Sequence, residues 1–150
     1  MERIREVLSN KKGNSILGYV IITPFLVYFI LYLVLGGTYF MRINDMTNIA
    51  NKKLDRALVE GQFTNAIKAE LENELAAYGF KGTELELTIT PTQAGDGSDG
   101  TYASRGQEIE LKILYTKPHW FYYINKFFAP SLPASKFYIG TKISGMSEKW

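Results

Sequence analysis

The chain has 150 residues, of which 46% are hydrophobic and 21% charged, with 17 basic residues, 15 acidic residues and no cysteine. The lack of cysteine excludes disulfide scaffolds and thiolate metal sites. Residues 1–13 hold four basic and two acidic side chains, which leaves thirteen of each in the rest of the chain. That balance is unlike a phosphate-binding surface, so we expect no nucleic-acid partner.

A long run without charge follows the N-terminal residues. No charged residue lies between Lys12 and Arg42, and residues 16–41 are nearly all apolar. As a helix that rises about 1.5 Å per residue, this run is about 39 Å long, which exceeds the ~30 Å hydrocarbon core of a bilayer. A chain this small could not cover such a helix on every side. The sequence therefore predicts one transmembrane helix over residues 14–41, with some tilt.

The charges around this run predict its orientation. Residues 1–13 form a basic leader, and the positive-inside rule places such a leader in the cytoplasm. We therefore expect a single-pass protein of the cell membrane whose C-terminal domain is extracytoplasmic. A cleaved secretory signal is the alternative, but its apolar region is typically only about 7–15 residues long.

The entrance to the membrane helix carries a recognisable motif. Residues 11–19 read Lys-Lys-Gly-Asn-Ser-Ile-Leu-Gly-Tyr, and a proline follows at position 24. This segment resembles the prepilin leader of type IV pilin-like proteins, most closely the TadE-like pseudopilins of tight-adherence (Flp-type) pilus systems. In that family a basic leader ends in glycine, and a membrane-embedded prepilin peptidase cuts after it. The resemblance implies a cut between Gly13 and Asn14, with Tyr19 and Pro24 as the aromatic and proline of the anchor motif.

One position departs from the family pattern. Gly18 stands where the family usually has a glutamate, whose carboxylate can neutralise the N-terminal ammonium of a neighbouring subunit inside an apolar filament. Without it, the chain is either a minor subunit that starts or caps an assembly, or an uncleaved relative that stays in the membrane. The remaining interpretation is a signal-anchor in which the Lys-Lys-Gly triplet is accidental.

Helical periodicity continues beyond the membrane run. Apolar residues recur by threes and fours over residues 43–58, so we expect the anchor to continue as an amphipathic helix until Gly61. A second helix is predicted over residues 64–78, with Thr64 or Asn65 as its N-cap and Gly79 at its end. Its apolar face consists of Ile67, Leu71, Leu75 and Tyr78.

The acidic residues of this region do not predict a metal site. Glu70, Glu72 and Glu74 alternate along the second helix, and alternate helical residues point about 200° apart, so the three carboxylates cannot converge. The polar loop at residues 91–100 departs from the EF-hand spacing. We interpret the glutamates as a solvated face and the segment 91–100 as a flexible loop, and we expect neither a metal nor a cofactor.

Strand periodicity replaces helical periodicity at residue 83. Three segments alternate apolar with polar side chains, which is typical of half-buried strands: Leu85, Leu87 and Ile89; Ile109, Leu111, Ile113 and Tyr115; Phe137, Ile139, Thr141 and Ile143. The predicted fold class is α+β, with a helical segment over residues 42–78 and a small three-stranded antiparallel β domain over residues 79–150. The upstream helices are available to cover its apolar face.

A short aromatic helix is predicted within residues 117–128, with Pro118 in its first turn. Its apolar stripe consists of Trp120, Phe121, Ile124, Phe127 and Phe128. Tyr122 lies off this stripe, so we expect it to tolerate polar substitution better than Phe121 or Ile124. The stripe either covers the sheet or forms a contact surface for the membrane interface or for another subunit.

The single histidine, His119, lies at the start of this segment. Without cysteine or a second histidine, neither nucleophilic nor zinc chemistry has the side chains it needs, so we expect a helix-start or surface residue and no enzyme activity. The resemblance implies a minor or accessory pseudopilin that acts by helix packing and by contacts with other pilin-like subunits or the assembly platform. The alternative is an uncleaved, single-pass, membrane-tethered binding module outside the cytoplasm.

Overall fold

The structure is a computed structural model that describes residues 11–90 and 105–148, with side chains from residue 18 onward. The described elements are helix α1 (Lys11–Glu60), helix α2 (Asn65–Ala77), strand β1 (Leu85–Thr90), strand β2 (Glu108–Tyr115), helix α3 (Trp120–Phe128), a 3-10 helix (Ala134–Phe137) and strand β3 (Ile139–Met146). The chain divides into two compact units, one ending at Gly37 and one beginning at Thr38. The predicted α+β class, with its long apolar N-terminal helix and three-stranded antiparallel sheet, is confirmed.

The first unit contains the apolar part of α1. This helix is long and apolar enough to cross a membrane, and no residue of its most apolar window is buried within the protein. Large apolar side chains are exposed along this part of the helix, including Tyr19, Ile22, Phe25, Phe29 and Leu33. Pro24 lies inside the helix, and the hydroxyl of the preceding Thr23 donates a hydrogen bond of 2.6 Å to the carbonyl oxygen of Tyr19.

The second unit is built around the C-terminal half of α1. Met46, Ala50 and Ala57 on this half are fully buried, which confirms the amphipathic continuation predicted from their spacing. The remaining core residues come from α1, from α2, from two phenylalanines and from the sheet: Ile49, Leu54, Ile67, Leu71, Leu75, Phe63, Phe80, Ile89, Ile109, Leu111, Ile113, Tyr115 and Ile139.

Helix α2 has the predicted start and end. The hydroxyl of Thr64 accepts a 3.2 Å hydrogen bond from the backbone N–H of Ile67, so Thr64 is the N-cap. At the C-terminus Gly79 has a φ of +86°, and the N–H of Phe80 donates to the carbonyl oxygen of Leu75 at 3.0 Å. This is a Schellman motif, in which glycine adopts the left-handed conformation without steric cost.

The three strands form one antiparallel sheet in the order β1-β2-β3. Leu111 pairs with Ile89 on one side and with Ile143 on the other, so the apolar residues predicted from the alternation share one face. The third strand begins later than predicted. Phe137 belongs to the 3-10 helix, because residues 134–137 turn instead of extending.

Candidate functional site

The surface around α3 is the strongest candidate for a functional site. Within the described residues, no group of three or more histidine, cysteine, aspartate or glutamate side chains is placed to hold a metal ion. By contrast, four of the nine residues of α3 are aromatic side chains that are more than half exposed: Trp120 at 71%, Tyr123 at 52%, Phe127 at 81% and Phe128 at 60%. A cluster of this kind on one short helix is unusual for a surface that faces only water.

The start of α3 is fixed by His119. The Nδ1 atom of this imidazole accepts a 3.2 Å hydrogen bond from the backbone N–H of Phe121, which makes His119 the N-cap. Pro118 therefore precedes the cap, and its predicted place in the first turn is wrong, because the ring nitrogen of His119 caps the helix one residue later. The expectation of a helix-start role for His119 is confirmed.

The rotation of α3 about its axis determines which side chains face outward. Trp120, Tyr123 and Phe127 are spaced by three and four residues and lie on the exposed side. Tyr122, about 200° from Trp120 around the helix, is buried, with only 7% of its surface exposed. The expectation that Tyr122 is the more tolerant position is therefore contradicted, because Phe121 and Ile124 are only half-buried.

The inner side of α3 packs on an aromatic cluster centred on Tyr39, near the N-terminus of the second unit. The ring of Tyr39 lies 5.7 Å from His119, 5.9 Å from Phe121 and 6.4 Å from Phe137, measured between ring centroids. The hydroxyl of Tyr39 also donates a 3.3 Å hydrogen bond to the carbonyl oxygen of Tyr138. These contacts hold α3 and the 3-10 helix beside residue 39 of α1.

The interpretation that the aromatic stripe covers the sheet fails for its most exposed members. Trp120, Phe127 and Phe128 point away from the protein, whereas Phe121 packs against Tyr39 and Phe137. The sequence stripe is thus divided between an inner contact and an outer surface. Sequence reasoning missed Tyr39 and Tyr122, since neither stands out from the aromatic residues around it.

The charged residues in the sequence around α3 are all basic. Residues 116–147 contain four lysines, Lys117, Lys126, Lys136 and Lys142, and no aspartate or glutamate. Lys142 forms an ion pair with Glu110 at 2.8 Å, whereas Lys117, Lys126 and Lys136 form none with any acidic side chain that the structure describes. The Nζ atom of Lys126 lies 5.5 Å from the ring centroid of Tyr122.

Burial and the nearby guanidinium of Arg42 lower the pKa of His119, which favours the neutral imidazole.

A second set of charges joins α1 to α2. The ammonium of Lys53 lies 3.0 Å from Glu70 and 3.1 Å from Glu74, and the guanidinium of Arg56 lies 2.9 Å from Glu70. Hydrogen bonds from Lys53 lower the pKa of both glutamates. These carboxylates therefore pair with cations of the neighbouring helix, and the description of the three glutamates as a purely solvated face is too simple.

The residues of the anchor motif lie near the N-terminus of α1 and precede α3 in the sequence. Gly13 and Asn14 are helical residues of α1, and the side chain of Tyr19 is 73% exposed. The rest of the leader, residues 1–10, and the loop at residues 91–100 lie outside the described residues.

Comparison with known proteins yields no match to this chain from any family model, any curated protein or any solved structure.

Proposed function

We propose that the chain is a membrane-anchored assembly subunit of the pilin-like type, a minor or accessory pseudopilin without enzymatic activity. The supporting observation is the change of environment along α1. Its apolar N-terminal part exposes side chains on all sides, whereas its C-terminal part supplies the core of an α+β unit through Met46, Ala50 and Ala57. A helix of this kind can pack against other helices in the membrane while its own domain makes contacts outside.

The motif at residues 11–24 supplies the second argument. Among the anchor positions, Gly18 decides how the subunit enters an assembly. Among the described residues, and apart from the backbone of its own helix and the two neighbours in the chain, no atom lies within 4 Å of the position that a Cβ would occupy at Gly18. A glutamate therefore fits at this site without disturbing the fold, and its absence restricts lateral docking on the N-terminal ammonium of a neighbour.

Processing by a prepilin peptidase tests this proposal. When the chain is co-expressed with the peptidase of its own host, intact-mass analysis should show loss of residues 1–13. Gly13→Leu should abolish the loss, because a side chain before the cut crowds the peptide backbone in the peptidase active site. Gly18→Glu should still be cut and serves as the matched control. A full-length chain in the presence of an active peptidase would contradict the proposal.

The exposed aromatic surface favours a second candidate. A membrane-tethered binding module would use Trp120 and Phe127 to recognise a ligand outside the cytoplasm. An uncut chain together with saturable binding that is lost in Trp120→Ala would favour this candidate over the pseudopilin.

A further inference from the structure

Helix α3 leaves much of its apolar stripe exposed, although Phe121 packs inward on Tyr39 and Phe137. Surface helices of water-soluble proteins bury their apolar stripe and expose their polar side chains. In α3 the outward side carries Trp120, Tyr123 and Phe127, whereas the buried side chain is the hydroxyl-bearing Tyr122. Trp120 and Phe127 therefore keep apolar surface exposed, which is unfavourable where water is the only solvent.

The position of α3 in the second unit suggests what the outward side meets. His119 and Phe121 pack on Tyr39, which lies three residues before Arg42, the first charged residue after the apolar run. Phe40 and Met41 beside Tyr39 are 64% and 66% exposed. The N-terminus of α3 is therefore held where α1 changes from apolar to charged, which is where a membrane helix meets the headgroup region.

The chemistry of this surface matches a lipid interface. Tryptophan and tyrosine are enriched at the headgroup level of membranes, because their rings are apolar and their N–H and O–H groups are polar. Lys117 lies just before α3, Lys126 within it and Lys136 in the 3-10 helix that follows, and all three are exposed without an ion pair to any described acidic residue. Anionic lipid headgroups complement this arrangement.

We infer that α3 is an interfacial helix that inserts its outward aromatic face into the anionic surface of the bilayer that α1 crosses. The helix then forms a second attachment of the second unit to the bilayer. A single attachment of the size of a myristoyl chain gives only weak membrane binding. Because α1 already holds the domain at the membrane surface, a small apolar face is sufficient for α3 to bind the bilayer. The inference rests on membrane anchoring by α1 and is independent of leader processing.

The chain contains no cysteine, so single spin labels can be placed without a background. The full-length protein would be reconstituted into vesicles of phosphatidylcholine and phosphatidylglycerol, with one label at Phe127→Cys. Position 127 is 81% exposed, so the change leaves the core intact. Accessibility of each label to oxygen, which enriches in lipid, and to a water-soluble nickel chelate would be measured by electron paramagnetic resonance.

Two further sites make the result decisive. Lys112→Cys lies on the exposed polar face of β2 and serves as the aqueous control, and Phe29→Cys in the apolar part of α1 serves as the lipid control. The oxygen-to-nickel ratio at position 127 should exceed that at position 112 several-fold and should lie below that at position 29. The oxygen-to-nickel ratio at position 127 should also fall in vesicles of phosphatidylcholine alone. An unchanged ratio in those vesicles would overturn the role of anionic headgroups.

Other results would overturn the inference. An aqueous ratio at position 127 together with a lipid ratio at position 29 would leave the anchor intact and place α3 in water. Shielding of position 127 from both reagents, with dipolar broadening between labels, would show that a second copy of the chain covers α3 instead of lipid.

Discussion

Tyr122 and Tyr123 are neighbours in α3 and have opposite environments. The ring of Tyr122 packs 5.7 Å from Phe137 and leaves 7% of its surface exposed, whereas Tyr123 is 52% exposed. The two residues have the same side chain on the same helix, so they form a matched pair for separating burial from helix propensity.

We predict that Tyr122→Ala lowers the free energy of unfolding by roughly 3 kcal/mol, because truncation of a buried aromatic leaves a cavity. Tyr123→Ala should cost less than about 1 kcal/mol, as is usual for surface substitutions. Thermal melts of the full-length variants in detergent would measure both losses. Equal losses would contradict the assigned rotation of α3.

His119 links pH to the stability of α3. Its pKa is lowered in the folded protein because burial and Arg42 disfavour the imidazolium, and its Nδ1 atom accepts the capping hydrogen bond only when neutral. The stabilising contribution is therefore complete above the unfolded pKa of about 6.5 and is lost as the pH falls through that value towards the folded pKa.

Melting temperatures measured between pH 8 and pH 5 should show this loss in the wild-type chain. His119→Asn keeps a capping acceptor that does not titrate, so the variant should lose less stability than wild type over the same range. Parallel curves for the two proteins would show that His119 carries no pH dependence.

The elements differ in how far the sequence predicts them. The alternation in Leu111 and Ile113 predicts both the strand and its buried face, because a period of two leaves only one register that buries both. The ends of α2 at Thr64 and Gly79 are predictable because the hydrogen bonds that cap a helix join residues only a few positions apart in the sequence.

The rotation of α3 could not be predicted in the same way. A helical stripe shows which residues share a side, but not whether that side turns inward. In this chain the choice depends on Tyr39, which is about eighty residues away in sequence and contacts Phe121 and Phe137. The candidate surface was therefore predictable as a set of aromatic residues, but its division into inner and outer members was not.

Strand β3 approaches α1 closely at Gly145. A Cβ at this position would meet the side chain of Leu58, whose Cδ2 atom would lie 3.2 Å away. Beside it, the backbone N–H of Glu148 donates a 3.0 Å hydrogen bond to the carbonyl oxygen of Leu58. The end of the sheet thus docks on the last turn of α1 through a residue without a side chain.

We predict that Gly145→Ala lowers the free energy of unfolding by about 1 kcal/mol, because the added methyl group displaces Leu58. Ser144→Ala on the same strand is the control and should have little effect. In chemical denaturation, adding Leu58→Ala to Gly145→Ala should cost less than the sum of the two single changes. Strict additivity would argue that the two residues are not in contact.

In the whole molecule, α1 carries both an apolar run and part of a folded core. Residues 1–13 carry an excess of two positive charges, the following run carries none, and the second unit beginning at Thr38 has its own hydrophobic core. The proposed pseudopilin requires a topology with the leader in the cytoplasm and the second unit outside, and the proposed interfacial helix requires that α1 crosses the membrane.

Single-cysteine labelling in right-side-out membrane vesicles tests this topology most directly. Ser144→Cys lies on the exposed side of β3 and Ser9→Cys lies in the leader, and the chain has no other cysteine. An impermeant maleimide should label position 144 in intact vesicles and position 9 only after detergent is added. Labelling of position 9 but not position 144 in intact vesicles would reverse the topology, and recovery of the chain in the soluble fraction would contradict the membrane anchor itself.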